Sequence, residues 1–347
     1  MPRIRNGASM VGLALLAIAG VTAAADRGDR LDRFRELAAS RLGLAQILED
    51  DAPAEAYREI YALLDDEMVE SLASGGPFAS PAFLQDRLDT FAEAWGGATL
   101  RLVRAGGLLV GAFVLDERSP ANSVRVYGRL GADGPALLTA LYREGRPSVH
   151  TLPGGRDGVF LVAWEGLPSG RGTRPLRVEL LRRDGDGVRV AWSTADVLTG
   201  ELLARSWSLR GADVRIRYEL RYPGWAPGCD GQTEQEDVYR LAPTAAVVRV
   251  GRQEHNAWHR ELHAAVERLV TALAARDEAA VAALVPDRAL RSRLPPSLRP
   301  EPICDAREGA AGDTVSVAAA AERQPWTLTF RRLGARWRLT RAAPVLQ

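Results

Sequence analysis

The sequence contains no lysine: all 45 of its basic residues are arginine. That absence excludes a group of chemistries. Schiff-base catalysis, the phosphate-binding loop ending Gly-Lys-Ser/Thr, the kinase lysine and the Ser-x-x-Lys acylases all require an ammonium group. Histidine is scarce, with four in the chain, and three of them fall within nine residues. The remaining one, His150, has no triad pattern around it, and there is no Gly-x-Ser-x-Gly, so a Ser-His-Asp hydrolase finds no footing. No glycine fingerprint follows a strand into a helix, which removes the dinucleotide-binding reading. Charge of one sign is lacking too. The 45 basic and 44 acidic residues leave a net +1 and are interspersed, so nucleic acid is not an expected partner.

Long apolar runs are confined to the start of the chain. Arg3 and Arg5 precede an apolar core over residues 11–21, and Ala23-Ala24-Ala25 precedes Asp26. That is the form of a secretory signal peptide, so residues 1–25 are expected to be removed and the product to be periplasmic or secreted. No later run is long enough to cross a membrane. Two cysteines, Cys229 and Cys304, suit an exported chain with one disulfide. By chain entropy its long loop contributes on the order of 4 kcal/mol.

Periodicity divides the rest into an α+β order. Residues 26–131 read as a helix-rich part with a small sheet: helices over 28–48, 54–73 and from Ser80-Pro81 to Trp95, then strands over 100–103, 108–115 and 123–130. The acidic run Asp65-Asp66-Glu67 is expected on a solvated helix face. Residues 132–250 read as a central antiparallel β domain with strands over 159–164, 176–181, 188–192, 204–209 and 214–222. Residues 253–347 read as a smaller α+β domain: a helix over 254–275, a short one over 277–285, a Pro/Arg-rich loop and three closing strands.

That last domain resembles the nuclear-transport-factor-two-like (SnoaL-like) superfamily. The resemblance rests on the long helix, the junction Ala275-Arg276-Asp277-Glu278-Ala279-Ala280, and the ending TLTFRRLGARWRLTR. It implies a cone of helices over a curved sheet, used for ligand holding, catalysis or contact. It implies no catalytic residue here, because no family catalytic motif is matched.

Two constellations remain as candidate sites. His255, His259 and His263 recur at i, i+4 and i+8 and span about 80° of one helix face, a spacing that suits zinc or copper. Glu261 lies two positions after His259, on the wrong side for the base of a zinc-protease helix. The plainer reading is that His255 and His259 extend the apolar stripe. The second constellation is the stretch 218–239, which carries Tyr222, Trp225, Asp230, Gln232, Glu234, Glu236 and Asp237 around Cys229. Carboxylates in a turn suit calcium, and carboxylates beside aromatics suit glycan binding or hydrolysis. The plainer reading is a structural loop held by the disulfide, its acids answering neighbouring arginines. Together these readings describe an exported cell-envelope binding or scaffold protein without catalysis, with an envelope protein or glycan as partner. The alternative is a periplasmic hydrolase or metal-dependent enzyme acting on a glycan or small molecule.

Overall fold

The computed structural model describes residues 29–40, 52–116, 122–153, 158–198, 200–308 and 313–345. The signal-peptide expectation over residues 1–25 lies outside them. The chain is α+β, and its strands pair antiparallel throughout. No helix among the described residues is long and apolar enough to cross a membrane.

The contacts gather the chain into two units. The first comprises residues 1–167, 175–201 and 242–246, and the second residues 168–174, 202–241 and 247–347. The boundaries read from composition, near 131 and 250, follow the order of elements, whereas these units follow packing.

In the first unit, α1 (residues 29–40) and α2 (Ala52–Ser74) precede α3 (Pro81–Trp95). The helical state of α3 is set at both ends. The Ser80 hydroxyl accepts the Phe83 amide at the start, and Gly96 adopts the left-handed conformation at the end. Leu84, Leu88, Phe91 and Trp95 recur at helical spacing and are buried. They pack with Phe34 of α1 and Ile60, Leu64 and Met68 of α2. Each such side chain contributes about 2 kcal/mol as an upper estimate of burial. Next comes a meander of β1 (Thr99–Ala105), β2 (Leu108–Val114), β3 (Ser123–Arg129) and β4 (Pro135–Tyr142), paired in that order. All seven residues of β2 are buried, because alternate side chains feed two cores. Leu109 and Phe113 join the helices, while Leu108 and Val110 join Phe160, Val162 and Trp164 of β6. β6 (Val159–Glu165) lies between β5 (Arg146–Thr151) and β7 (Arg174–Asp184), and β8 (Gly187–Ser193) pairs with β7. A short α4 (Thr194–Val197) follows.

The second unit opens with a meander in the order β9 (Leu203–Arg210), β10 (Asp213–Glu219), β11 (Glu234–Leu241), β12 (Val247–His255). Strict alternation in β10 buries Val214, Ile216 and Tyr218. α5 (Ala257–Ala275), α6 (Glu278–Leu284) and α7 (Arg288–Arg291) follow, then β13 (Leu298–Pro300), β14 (Ala306–Glu308), β15 (Thr314–Ala321), β16 (Gln324–Leu333) and β17 (Arg336–Pro344). The strand order is β13-β15-β16-β17, with β14 also on β15. Leu262, Val266, Leu269 and Leu273 of α5 share one core with Val315, Val317, Leu328, Phe330, Trp337 and Leu339.

Three local expectations change. The acidic run 234–237 is the start of strand β11 rather than a turn. The long helix begins at Ala257, not at residue 254. Asn256 takes a left-handed conformation with φ 55°, so Glu254 and His255 end β12. Asp65 and Glu67 do not form a solvated face. Glu67 is buried and accepts from Arg30 at 3.1 Å and Arg87 at 2.7 Å, and Asp65 receives Arg125 and the Tyr127 hydroxyl. The acids point inward because arginine stems arrive to meet them, which periodicity in one helix does not show.

Candidate functional site

The stretch 218–239 is a frame whose polar groups are spoken for. Gln232 clamps the turn: its Oε1 accepts the Ala226 amide at 2.8 Å, and its Nε2 donates to the carbonyls of Ala226 at 2.7 Å and Cys229 at 3.0 Å. Cys229 is disulfide-bonded to Cys304. Asp237 faces the side of β11 opposite to Glu234 and Glu236, and those two, on one face, are each taken up by arginines. Glu234 takes Arg205 at 3.1 Å and Arg217. Glu236 takes Arg215 and, at 3.3 Å, His255 Nε2. Burial alone would raise the Glu236 carboxyl, but those partners outweigh it and hold it below the usual carboxylate range. Asp237, fully buried, receives Arg252 through both oxygens at 2.8 and 2.9 Å and the hydroxyls of Tyr218 and Tyr239 at 3.1 Å. Here too burial pushes the carboxyl up, and the arginine and hydroxyl donors win, lowering it. The same site pushes the Tyr239 hydroxyl up to about 12, through burial and then the adjacent carboxylate. Asp230 is exposed and meets Arg171 at 3.3 Å. Trp225 lies under the Arg221 guanidinium at 5.4 Å. The seven residues therefore spread over both sheet faces and a turn.

The histidines divide differently. His255, at the end of β12, turns to Glu236. His259 and His263, one turn apart on α5, stack with ring centroids 4.6 Å apart and 29° between planes. Their Nε2 atoms reach the same oxygen, Oδ2 of Asp305, at 3.0 and 2.7 Å. All three side chains are only 4% exposed. Burial would raise the Asp305 carboxyl, but the hydrogen bonds from His259 and His263 prevail and lower it. Its second oxygen, Oδ1, is buried with no hydrogen-bond partner.

The acidic stretch builds the wall of this cluster. The Tyr222 hydroxyl accepts the Thr233 amide at 3.0 Å and lies 2.6 Å from Nδ1 of His259. The Asp305 carboxylate can only accept, so His259 Nε2 carries a hydrogen toward it, and in a ring with one such hydrogen Nδ1 accepts the Tyr222 hydroxyl hydrogen. Gly224, at φ +86°, lies flat against His263: a Cβ there would fall 1.8 Å from Nδ1. Thr233 ties the stretch to the start of α5, donating to the Asn256 carbonyl at 2.8 Å and accepting the Arg260 amide at 3.1 Å. Trp258 packs beside His259 at 5.2 Å, with the Arg307 guanidinium 4.1 Å above its ring. Beyond Tyr222 lies an open cleft of about 660 Å³ lined by Arg260, Glu261, Arg268 and Trp337 among others.

His259 and His263 thus come together as the helical spacing predicts, and His255 does not join them. The sequence reading missed Asp305, 42 residues beyond His263. The signal for it was the neighbouring Cys304, whose pairing with Cys229 draws Asp305 toward the stretch holding Tyr222 and Gly224. His259, His263 and Asp305 are the one group of three or more among the described residues whose ligand atoms lie within 4.8 Å of one another. Chemically, the trio can hold a proton on the carboxylate–imidazole axis or accept a cation. No family model matches the chain, and neither does any curated protein sequence.

Proposed function

We propose that the protein is exported and works in the cell envelope by binding, as a scaffold or accessory protein, without turning over a substrate. The Cys229–Cys304 bond is compatible with an extracytoplasmic location. The observation that most supports binding is the edge formed by β12, which ends the strand order beyond β11. Val248 and Val250 stand 61% and 47% exposed there. A register shift opposite Val238 and Tyr239 leaves Val250 unmatched on β11. Edge strands are ordinarily blunted by charge, proline or a bulge; β12 has exposed Arg249 and Arg252 and the shift at Val250, while its β-branched Val247, Val248 and Val250 favour an added strand. The partner that fits is an extended segment of an envelope polypeptide, held through its main chain along residues 247–253.

The test places a photoreactive residue at 248, 250 or, as a control, at exposed Val197 in the protein exported to a periplasm. One polypeptide crosslinked at 248 and 250 but not at 197 is the expected result. Crosslinks spread evenly over all three positions, or absent from all, overturn it.

We also infer that residues 253–347 form a nuclear-transport-factor-two-like unit. Supporting this are the long α5 followed by short α6 and the α5 stripe packed on the closing strands. A second reading, a hydrolase or metal-dependent enzyme acting on a glycan or small molecule, draws on the open cleft beside Tyr222 and Trp337. It requires a turnover that Glu261→Gln or Glu267→Gln, the acids lining that cleft, abolishes with the fold intact.

A further inference from the structure

We propose that His259, His263 and Asp305 bind one divalent transition-metal ion, zinc being the ion the donor set suits best. The proposal goes beyond the binding role of β12 and does not rest on it. Two imidazoles and one carboxylate form a ligand set that, with an open fourth position, suits zinc.

Three observations carry it. First, convergence. Both Nε2 atoms point at one oxygen rather than sharing the two. Zinc bonds of about 2 Å hold ligand atoms about 3.3 Å apart. Seating an ion takes a retreat of Asp305 Oδ2 by a few tenths of an ångström from its present 2.7 and 3.0 Å, and a closing of the two imidazoles on each other, because the ligand atoms now spread over as much as 4.8 Å. Second, an unmet need. Asp305 Oδ1 is buried without a donor, and such a group costs free energy until something satisfies it. A cation held by both carboxylate oxygens, or a water on that cation donating to Oδ1, answers it. Third, support behind the ligands. Metal-bound histidine needs a partner at its other nitrogen, and His259 Nδ1 has the Tyr222 hydroxyl at 2.6 Å. A hydroxyl both donates and accepts. In the metal-free chain it donates to Nδ1. When Nε2 binds the ion, the proton sits on Nδ1 and the hydroxyl accepts it. The Thr233 amide holds the oxygen in place in both states.

The neighbours also fix the ligands without an ion. Gly224 admits the His263 ring, and the disulfide at Cys304 anchors Asp305 from the adjacent residue. A site whose ligands are held this close lowers the cost of ordering them.

The experiment uses the full exported chain with its disulfide intact, stripped with a chelator and titrated with zinc against a chromogenic competitor. The expected result is one ion per chain with a dissociation constant below about 1 μM. His263→Gln and Asp305→Asn each weaken it by about 100-fold or more, Tyr222→Phe by about 10-fold, and His255→Gln leaves it unchanged. Cobalt gives the visible spectrum of a tetrahedral nitrogen–oxygen site in the wild type and not in His263→Gln. Should Asp305→Asn misfold, the double variant His259→Gln/His263→Gln, checked by circular dichroism, takes its place. Stoichiometric binding that survives His263→Gln but falls with His255→Gln locates the ion at His255–Glu236 and overturns the proposal. So does affinity weaker than about 100 μM.

Discussion

Two largely enclosed aspartates, one in each unit, are built in opposite ways. Asp65 in the first unit accepts Arg125 at both oxygens and the Tyr127 hydroxyl at Oδ1. Arg125 is itself held by Tyr142 at 2.7 Å and lies over the Tyr61 ring at 4.8 Å. Asp305 in the second unit has two imidazoles on one oxygen and nothing on the other. The first is paired with a fixed cation and has a donor on each oxygen. The second pairs a lowered carboxyl with two bases that can exchange protons for a cation. Asp237 belongs with Asp65, because Arg252 and two tyrosines fill it. Burial of an acid is therefore not the sign of a site. What distinguishes a site is a donor set that is incomplete and exchangeable.

The largest test of this contrast is removal of the bond that anchors Asp305. Cys229→Ser/Cys304→Ser opens a loop of sequence separation 75 and costs about 4 kcal/mol on the chain-entropy scale. Urea unfolding with and without reductant checks it. A loss below about 1 kcal/mol means that Asp305 is held by its histidines alone. Next is Arg125→Met, which strands Asp65 beside Tyr127 and costs about 3 kcal/mol, because an uncompensated charge remains inside. A near-neutral result in thermal unfolding would erase the distinction between the saturated and unsaturated acids.

Gly224→Ala costs about 2 kcal/mol, since the residue sits at φ +86° and its new Cβ meets the His263 ring. The sharper readout is the histidine side-chain NMR spectrum, where His263 shifts and His150 does not. The acid limb of stability is a smaller effect. Asp237 lies below its ordinary 3.8 in the folded chain. Its contribution is fully present above about pH 4 and is lost as pH falls through the folded value. Urea midpoints measured from pH 6 to pH 3 fall more steeply in the wild type than in Asp237→Asn. Smallest is Val248→Lys, on the exposed edge of β12, which changes stability by less than about 0.5 kcal/mol in calorimetry.

Much of the fold was legible in the sequence. α3 announced itself through Ser80-Pro81, its four-residue apolar repeat and Gly96. The hairpin of β16 and β17 did so through the turn 333–336. β11 was hidden because its first four residues are Glu, Gln, Glu and Asp, all poor strand formers, and the arginines that pair with them lie on β9, β10 and β12. The start of α5 was misplaced for a similar reason. His255 continues the helical stripe in sequence, yet the left-handed Asn256 ends the strand there.

By itself, the sequence determined the α+β class, the helical stripes, the arginine-only basicity with the chemistries it excludes, and that two cysteines were available for one disulfide. Each follows from local periodicity or from simple counting. Only the tertiary structure decided which carboxylate meets the histidines, and that the carboxylates of β11 belong to arginines instead. Asp305 reaches His259 and His263 through the folding of a 42-residue segment and a disulfide. Such a meeting depends on long-range packing, to which neither hydrophobic period nor residue spacing is sensitive.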